Sequence, residues 1–414
     1  MKHAECHREA GLARLGDLLA EVRAGFACGE RVEGGVVQLR MNNVDTHGRF
    51  VWDRFIRVPA TAEVFDEYQL RTGDVVFNNT NSTALVGKSA LFVEHNEPVV
   101  YSNHFTRLRT DRERLDPAYL TWWLNHEWRR GTFAEICNQW IGQSAVKPDK
   151  LLALNIPLPP LAEQERIAGW VSRGMEQAAA ARRAALDRLA AAEALPAALL
   201  REVFEGPQAS GWETRTIGEF ARTCSGATPS RGNAAYFGGG IPWVKTGELR
   251  DGFVGDDGST EESVTEAALR DCSLPLLPPG TLLIAMYGQG KTRGRTGILT
   301  REATTNQACF AILPAPDVFD TGFLQLWFRA NYNDLRALTE NRGGNQPNLN
   351  GVLLRELEIP LPDPTSQRHL AAELTEKLAA AEGVIARCRE ELAAIEALPA
   401  ALLRGAFGGN DNGW

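Results

Sequence analysis

Two stretches of this chain are copies of one another, set 203 residues apart at both ends. One opens on Ile156-Pro157-Leu158-Pro159 and closes on Glu193-Ala194-Leu195-Pro196-Ala197-Ala198-Leu199-Leu200-Arg201. The other opens on Ile359-Pro360-Leu361-Pro362 and closes on Glu396-Ala397-Leu398-Pro399-Ala400-Ala401-Leu402-Leu403-Arg404. Because start and end share one offset, no insertion or deletion separates the copies. A gapless repeat of this length predicts a rigid spacer rather than a pair of loops.

The second copy shows what the spacer is made of. Leu370, Leu374, Leu378, Ala381, Ile385, Cys388, Leu392 and Ile395 recur at intervals of three and four, the seam of a helix in a coiled coil. Their equivalents are Ile167, Val171, Met175, Ala178, Arg182, Ala185, Leu189 and Ala192, a stripe that only Arg182 interrupts. Asp363 before Pro364 reads as an N-cap followed by proline at the first helical position, and Pro159-Pro160 makes a similar start. Each helix is expected to run about 35 residues and stop before Pro196 or Pro399, roughly 50 Å at about 1.5 Å per residue. Each stripe needs a partner, so the two copies are expected to pack on each other.

Composition removes several classes of function. With 44% apolar and 23% charged residues the 414-residue chain is that of an ordinary globular protein of two or three domains. No apolar run approaches the roughly 18 residues of a membrane span, and Met1-Lys2-His3-Ala4-Glu5-Cys6 begins no signal peptide. The cysteines are scattered and odd in number without a CxxC pair, which predicts a reduced, cytoplasmic setting and no structural zinc. The net charge is −8, and residues 1–155 carry 19 Lys and Arg against 20 Asp and Glu, residues 207–358 carry 14 against 17. Any nucleic-acid surface must therefore be a local patch, since bulk electrostatic adhesion is excluded.

A weaker repeat precedes each spacer. Leu15-Gly16-Asp17-Leu18 matches Ile217-Gly218-Glu219-Phe220 as a short strand-like lead, followed by turns at Gly25 and Gly226. Val37 to Asn43 with Gly48 to Val51 matches Ile241 to Gly247 with Gly252 to Val254, each read as strand, polar turn and strand. Leu70 to Phe77 matches Leu277 to Ile284 as a turn feeding a buried strand, and Ser102-Asn103-His104 matches Thr305-Asn306-Gln307. The expected fold class is mixed α/β: two related globules separated by two long antiparallel helices in a coiled coil, with an internal pseudo-twofold repeat. The boundaries expected are 1–155 and 207–358 for the globules, 156–206 and 359–409 for the helical spacers, and 410–414 for a tail.

The polar turns of the globules are the candidate binding elements, because amides can bond adenine, Arg and Lys can bond guanine or phosphate, and glycine lets a backbone approach closely. In the first globule these are Arg40, Asn42, Asn79, Asn81, Lys88, His104, Gln143 and Ser144. In the second they are Arg231, Lys245, Thr246, Tyr287, Gln289, Lys291, Arg293, Arg295, Asn306, Asn345 and Gln346.

Several of these runs resemble a known family. Ile156 to Pro160 with Leu161-Ala162-Glu163-Gln164-Glu165-Arg166-Ile167, Gly226-Ala227-Thr228-Pro229-Ser230-Arg231 with Tyr236-Phe237-Gly238, Ile241 to Gly247, Thr305-Asn306-Gln307-Ala308 and Asn348-Leu349-Asn350-Gly351 look like the specificity subunit (HsdS) of type I restriction-modification systems. The second spacer departs from the pattern, reading Asp363-Pro364-Thr365-Ser366-Gln367 where the family has a Pro-Leu-Ala-Glu-Gln run. The resemblance covers nearly the whole chain. It implies two target-recognition domains that each read one half of a split site in double-stranded DNA. It also implies a helix pair that sets the gap and docks two methyltransferase (modification) subunits, with up to two restriction subunits beside them. Catalysis, and with it S-adenosylmethionine, ATP and Mg, is then expected on those partners and none on this chain.

Enzyme readings are weaker. Gly288-Gln289-Gly290-Lys291-Thr292 looks like the tail of a P-loop, but Ala285 stands where the motif requires glycine and a further strand, not a helix, is expected to follow. Asp116-Pro117-Ala118-Tyr119 resembles the Asp-Pro-Pro-Tyr run of amino-methyltransferases, yet it has no glycine-rich loop with it and reads better as the cap of a helix through Trp122-Trp123-Leu124.

Overall fold

The computed structural model describes residues 11–59, 61–256, 258–288, 290–340 and 348–408. They fall into two compact units, the described residues of 1–187 with those of 389–414, and those of 188–388. Each long helix is therefore divided between the units.

In the first unit a four-stranded sheet runs in the order Leu19–Ala24, Phe105–Thr110, Val75–Asn78, Ser89–Leu91, every neighbouring pair antiparallel. A three-stranded sheet places Val36–Leu39 between Ile56–Val58 and Val99–Tyr101, the last pairing being parallel. Val75-Val76-Phe77 reads as a continuous apolar run because the strand is buried on both faces. Val75 and Phe77 enter a core with Leu120 and Leu124 of the helix Pro117–Arg130, whereas Val76 enters another with Val37, Leu39 and Tyr101.

The second unit repeats this plan. Its larger sheet has the order Thr223–Ser225, Cys309–Ile312, Leu282–Ala285, Thr296–Leu299, Gly252–Val254, and the smaller sheet places Phe237–Val244 between Ser263–Val264 and Thr304–Thr305. Leu282 and Ile284 face one core while Leu283 and Ala285 face the other. The edge strand Gly252–Val254, parallel to Thr296–Leu299, is an addition to the plan of the first unit.

The spacers are single helices, Leu161–Phe204 and Pro364–Phe407, of 44 residues each. In the first unit Gly174 lies against the side chain of Leu402 and Arg182 pairs with Glu396 at 2.9 Å, so the helices run antiparallel. That ion pair accounts for the one break in the stripe: Arg182 lies at the exposed rim of the seam, while Ile167, Val171, Met175, Ala178, Ala185 and Ala192 are buried. Leu374, Leu378 and Ala381 are buried on the other copy, and Ile385, Cys388, Leu392 and Ile395 half-buried.

Three expectations are corrected. The helices do not stop at the prolines but carry Pro196 and Pro399 inside them. An interior proline costs about 3 kcal/mol through its missing hydrogen bond. Beyond it Leu200 and Phe204 bury themselves in the second core, Leu403 and Ala406 in the first. Burying a large apolar side chain contributes about 1.5–3 kcal/mol, so two or three such residues outweigh the break. The leads at 15–18 and 217–220 are a 3₁₀ turn and a short helix rather than strands; Leu15 with Leu18 and Ile217 with Phe220 are buried at the helical spacing of three. Finally, residues 48–51 are not a strand: they fold back through an isolated bridge from Val44 to Phe50, and Asp45 Oδ1 accepts from the amides of His47 and Arg49 at 2.8 and 3.0 Å. In the second globule the matching segment is the expected strand, Gly252–Val254, and its partner is Thr296–Leu299 rather than Phe237–Val244.

Candidate nucleic-acid interface

Parallel strands end on the same side of a sheet, and in both units this brings distant turns together. In the first unit Leu39 pairs with Tyr101, so Arg40 and Asn42 emerge beside Ser102-Asn103-His104. The loop after Val75–Asn78 joins them, because the Asn79 amide donates to His104 O at 3.0 Å. In the second unit Val244 pairs with Thr305, setting Lys245 and Thr246 beside Asn306, and the amide of Met286, which opens the Tyr287 loop, donates to Ala308 O at 2.8 Å. Gly25 and Gly226 hold equivalent places beneath these clusters. A Cβ on Gly25 would collide with the carbonyl of Ser102, and one on Gly226 with that of Thr305.

The candidate residues divide by what their side chains do. Arg40 and Asn42 are exposed, and half-buried His104 has its pKa lowered by burial and by the charge of Arg40. Gln143 is exposed on the strand Gln143–Ala145, which pairs with Thr80–Asn81. Other candidates are spent on building the turns. Asn79 Nδ2 donates to Thr106 Oγ1 at 2.9 Å, Asn81 Nδ2 to Asn78 Oδ1 at 2.7 Å, and buried Ser144 shares a 2.7 Å hydroxyl contact with Thr83. Lys88 is buried, its ammonium bonded to the Val44 carbonyl and its pKa lowered by burial, so it ties two loops together from inside. Arg293 is likewise buried.

In the second unit the cations meet carboxylates. Arg231 lies over the rings of Phe237 and Trp243 at 5.0 and 5.2 Å and bonds Glu262 at 2.5 and 3.1 Å. Lys245 bonds Glu262 at 2.8 Å and Glu261 at 3.0 Å. Hydrogen bonds from Arg231 and then Lys245 hold the Glu262 carboxyl down to about 2, and hydrogen bonds to Glu262 and then Glu261 raise Lys245. Arg295 pairs with Asp251 and stacks over Tyr332 at 5.2 Å. Tyr287 and Lys291 are exposed; Thr246 and Asn306 are half-buried. Gln289, Asn345 and Gln346 lie outside the described residues.

The converging segments share one property that reading residue by residue misses. Residues 34–44, 75–93, 98–110 and 136–148 of the first unit contain no Asp or Glu, nor do 220–247, 272–301 and 303–316 of the second. In a chain with 52 acidic residues, these segments bring no carboxylate of their own to the clusters, which favours phosphate there. Glu261, Glu262 and Asp251 enter from neighbouring loops, and no spacing in the sequence announced them.

A second pair of residues positions the globules on their helices. Gln164 and Gln367, 203 residues apart, are both fully buried. Gln164 Oε1 accepts from the amide of Asp116 at 3.0 Å, and its Nε2 donates to the carbonyls of Arg114 and Pro159 at 2.9 Å each. Gln367 makes the matching set with Asp320, Val318 and Pro362 at 2.8, 3.5 and 2.7 Å. Asp116 and Asp320 in turn cap the helices Pro117–Arg130 and Thr321–Ala330, accepting from Tyr119 and Phe323 at 2.7 and 2.8 Å. Asp116-Pro117-Ala118-Tyr119 is thus a helix start.

Residues 34–177 and 209–380 match the family model described as type I restriction modification DNA specificity domain. The chain belongs to this family. Among specificity-domain relatives, the specificity subunit of type I restriction enzyme MjaIX from Methanocaldococcus jannaschii is 30% identical over 164 residues, 40% of this chain and 37% of that one. That of EcoR124I/EcoR124II from Escherichia coli is 23% identical over 160 residues, 38% and 39% of the two chains. The aligned part thus spans under half the length of either relative. The HsdS subunit of Thermoanaerobacter tengcongensis has the same fold, with a TM-score of 0.63 at 22% identity over 96% of both chains. A chain from a structure of type I R-M complex assembly and conformational transition reaches 0.68 at 21% identity over 97% of this chain and 98% of that one. Among the described residues no helix is long and apolar enough to cross a membrane, and no group of three or more His, Cys, Asp or Glu could hold a metal ion.

Proposed function

We propose that this chain is the non-catalytic, sequence-reading subunit of a cytoplasmic type I restriction-modification complex, each globule reading one half of a bipartite site in double-stranded DNA. The observation that carries this reading is the duplicated cluster: one scaffold twice, with acid-free loops gathered at the ends of parallel strands and different side chains on each copy. A shared frame with unlike loops suits a target whose two parts differ. The helical spacers set the gap between the parts and dock two methyltransferase subunits, with restriction subunits joining through them; S-adenosylmethionine, ATP and Mg act on those partners.

Of the candidate residues, the exposed ones carry this reading: Arg40, Asn42, Gln143, Tyr287 and Lys291 at the surface, with His104, Lys245, Arg231 and Arg295 beside them. Co-expression with a type I methyltransferase subunit from the same genome, followed by mapping of modified bases in host DNA, is expected to return one motif of two unlike parts and a fixed gap. Absence of modification, or a motif without a gap, overturns the reading. Adding one helical turn to both spacers, about 5.4 Å, is expected to shift the gap by one or two base pairs of about 3.4 Å each; an unchanged gap rejects the spacer as a ruler. If Lys291→Ala alters neither affinity nor specificity, its loop is a solvated turn.

A further inference from the structure

The strands Asn138–Trp140 and Gln143–Ala145 form a hairpin closed by a two-residue turn, Ile141-Gly142, with Gly142 at φ +79°. Its tip is apolar and presented to solvent: Ile141 is fully exposed and Trp140 is 60% exposed. Its base is fastened to the first unit's cluster, Ser144 pairing with Asn81 and the Val146 amide donating to Asn79 O at 2.9 Å. A bare isoleucine at the point of an anchored hairpin gains nothing from water, and its whole apolar surface is open to a partner.

We propose that this hairpin enters the major groove of the DNA and that Ile141, backed by Trp140, reads a thymine through its C5-methyl group. The inference rests on the DNA-reading role proposed above and names one base class for the first globule. Three points favour DNA over a protein partner. The hairpin continues the strand pairing of the cluster that holds Arg40 and His104. Residues 136–148 contain no carboxylate, which suits a polyanion. The reach also fits, since three residues at about 3.3 Å each project about 10 Å, against a major groove about 8.5 Å deep and wide enough for a two-stranded ribbon. The side-chain chemistry then selects the base: the thymine methyl is the apolar feature among the donors and acceptors of the major-groove edge, and the minor groove offers none.

The test uses the full chain co-expressed with its methyltransferase subunit, on duplexes carrying the mapped target, with each thymine of the first half-site replaced in turn by deoxyuridine. That replacement removes the methyl and nothing else. One position is expected at which deoxyuridine weakens binding by the wild-type complex about fourfold, the factor for burying one methyl-sized group. Ile141→Ala should bind the thymine duplex about fourfold more weakly and be indifferent to deoxyuridine at that position. Failure of the wild-type complex to modify any site would reject the DNA-reading role itself. If the wild-type complex modifies its target, three results would overturn the inference: Ile141→Ala binding like wild type, its loss remaining additive with every deoxyuridine, or its loss tracing to poorer recovery of the methyltransferase subunit. Brightening of 2-aminopurine at the contacted step would replace methyl reading by base unstacking and would equally overturn it.

Discussion

The two units share a scaffold down to a buried glutamine and a glycine beneath the loops, and they part company in how they treat charge. The first gathers amides, with an arginine whose charge reaches His104. The second gathers cations and ties three of them to carboxylates from flanking loops, Arg231 and Lys245 to Glu262 and Arg295 to Asp251. A duplicated fold can thus keep its hydrogen-bonded frame while its loops diverge, because the frame is satisfied by backbone groups and the loops are not needed to hold it.

The comparison breaks most easily at the cores. Leu403→Ala and Leu200→Ala each remove a buried side chain from a helix end and should cost about 2–5 kcal/mol. Hydrogen exchange should show Leu403→Ala unprotecting Val75–Asn78 and sparing Leu282–Ala285, with Leu200→Ala doing the reverse. Equal loss in both units would mean that the cores are not separate. Gln164→Met and Gln367→Met come next, each orphaning three backbone groups for about 3 kcal/mol, measured as a shift in the urea midpoint. The second should be the milder, since its bond to Val318 is already long at 3.5 Å.

Arg40→Ala should cost about 1–3 kcal/mol of DNA affinity and relax one base position if its guanidinium holds a base edge, and weaken all sequences alike if it holds a phosphate; binding to single-substituted duplexes separates these. The smallest effect expected is that of Glu262→Gln, which frees two cations and should tighten binding at low salt about fivefold while steepening its salt dependence. The same pair gives a pH signature. A carboxylate held at about 2 lends stability that is complete above the ordinary carboxylate range and is lost as pH falls through about 2. Between pH 5 and pH 2 the wild-type second unit should therefore lose more of its melting temperature than Glu262→Gln does.

Much of the fold was legible because repeats and heptads are local patterns. The 203-residue offset predicted both helices and their seam, and even Arg182, the break in the stripe, had its answer at Glu396. The overrun past Pro196 was not legible, because it is decided by burial of Leu200 and Phe204 in a core assembled from later residues. The geometry of the candidate site was half legible. Polar turns could be named from spacing, but spacing does not show that an amide is spent on its own loop, as Asn81 is on Asn78, and whether a lysine is swallowed depends on a contact across more than 40 residues of chain, as Lys88 meets Val44. Gln164 lies in the Leu161–Ile167 run that resembles the family, while its latch depends on Asp116, 48 residues earlier in the chain.

The helix that ends at Phe407 supplies Leu402, Leu403, Ala406 and Phe407 to the core built around Val75 and Phe77. On the ribosome those residues follow the strand ending at Leu158 by more than two hundred codons, roughly 10 to 50 s at about 5–20 residues per second. Through that interval the first globule waits with an oily face uncovered, whereas the second inherits Leu200 and Phe204 already made. Synthesis therefore favours the later domain as the earlier to mature, and a chaperone that shields the first would find its work in that delay.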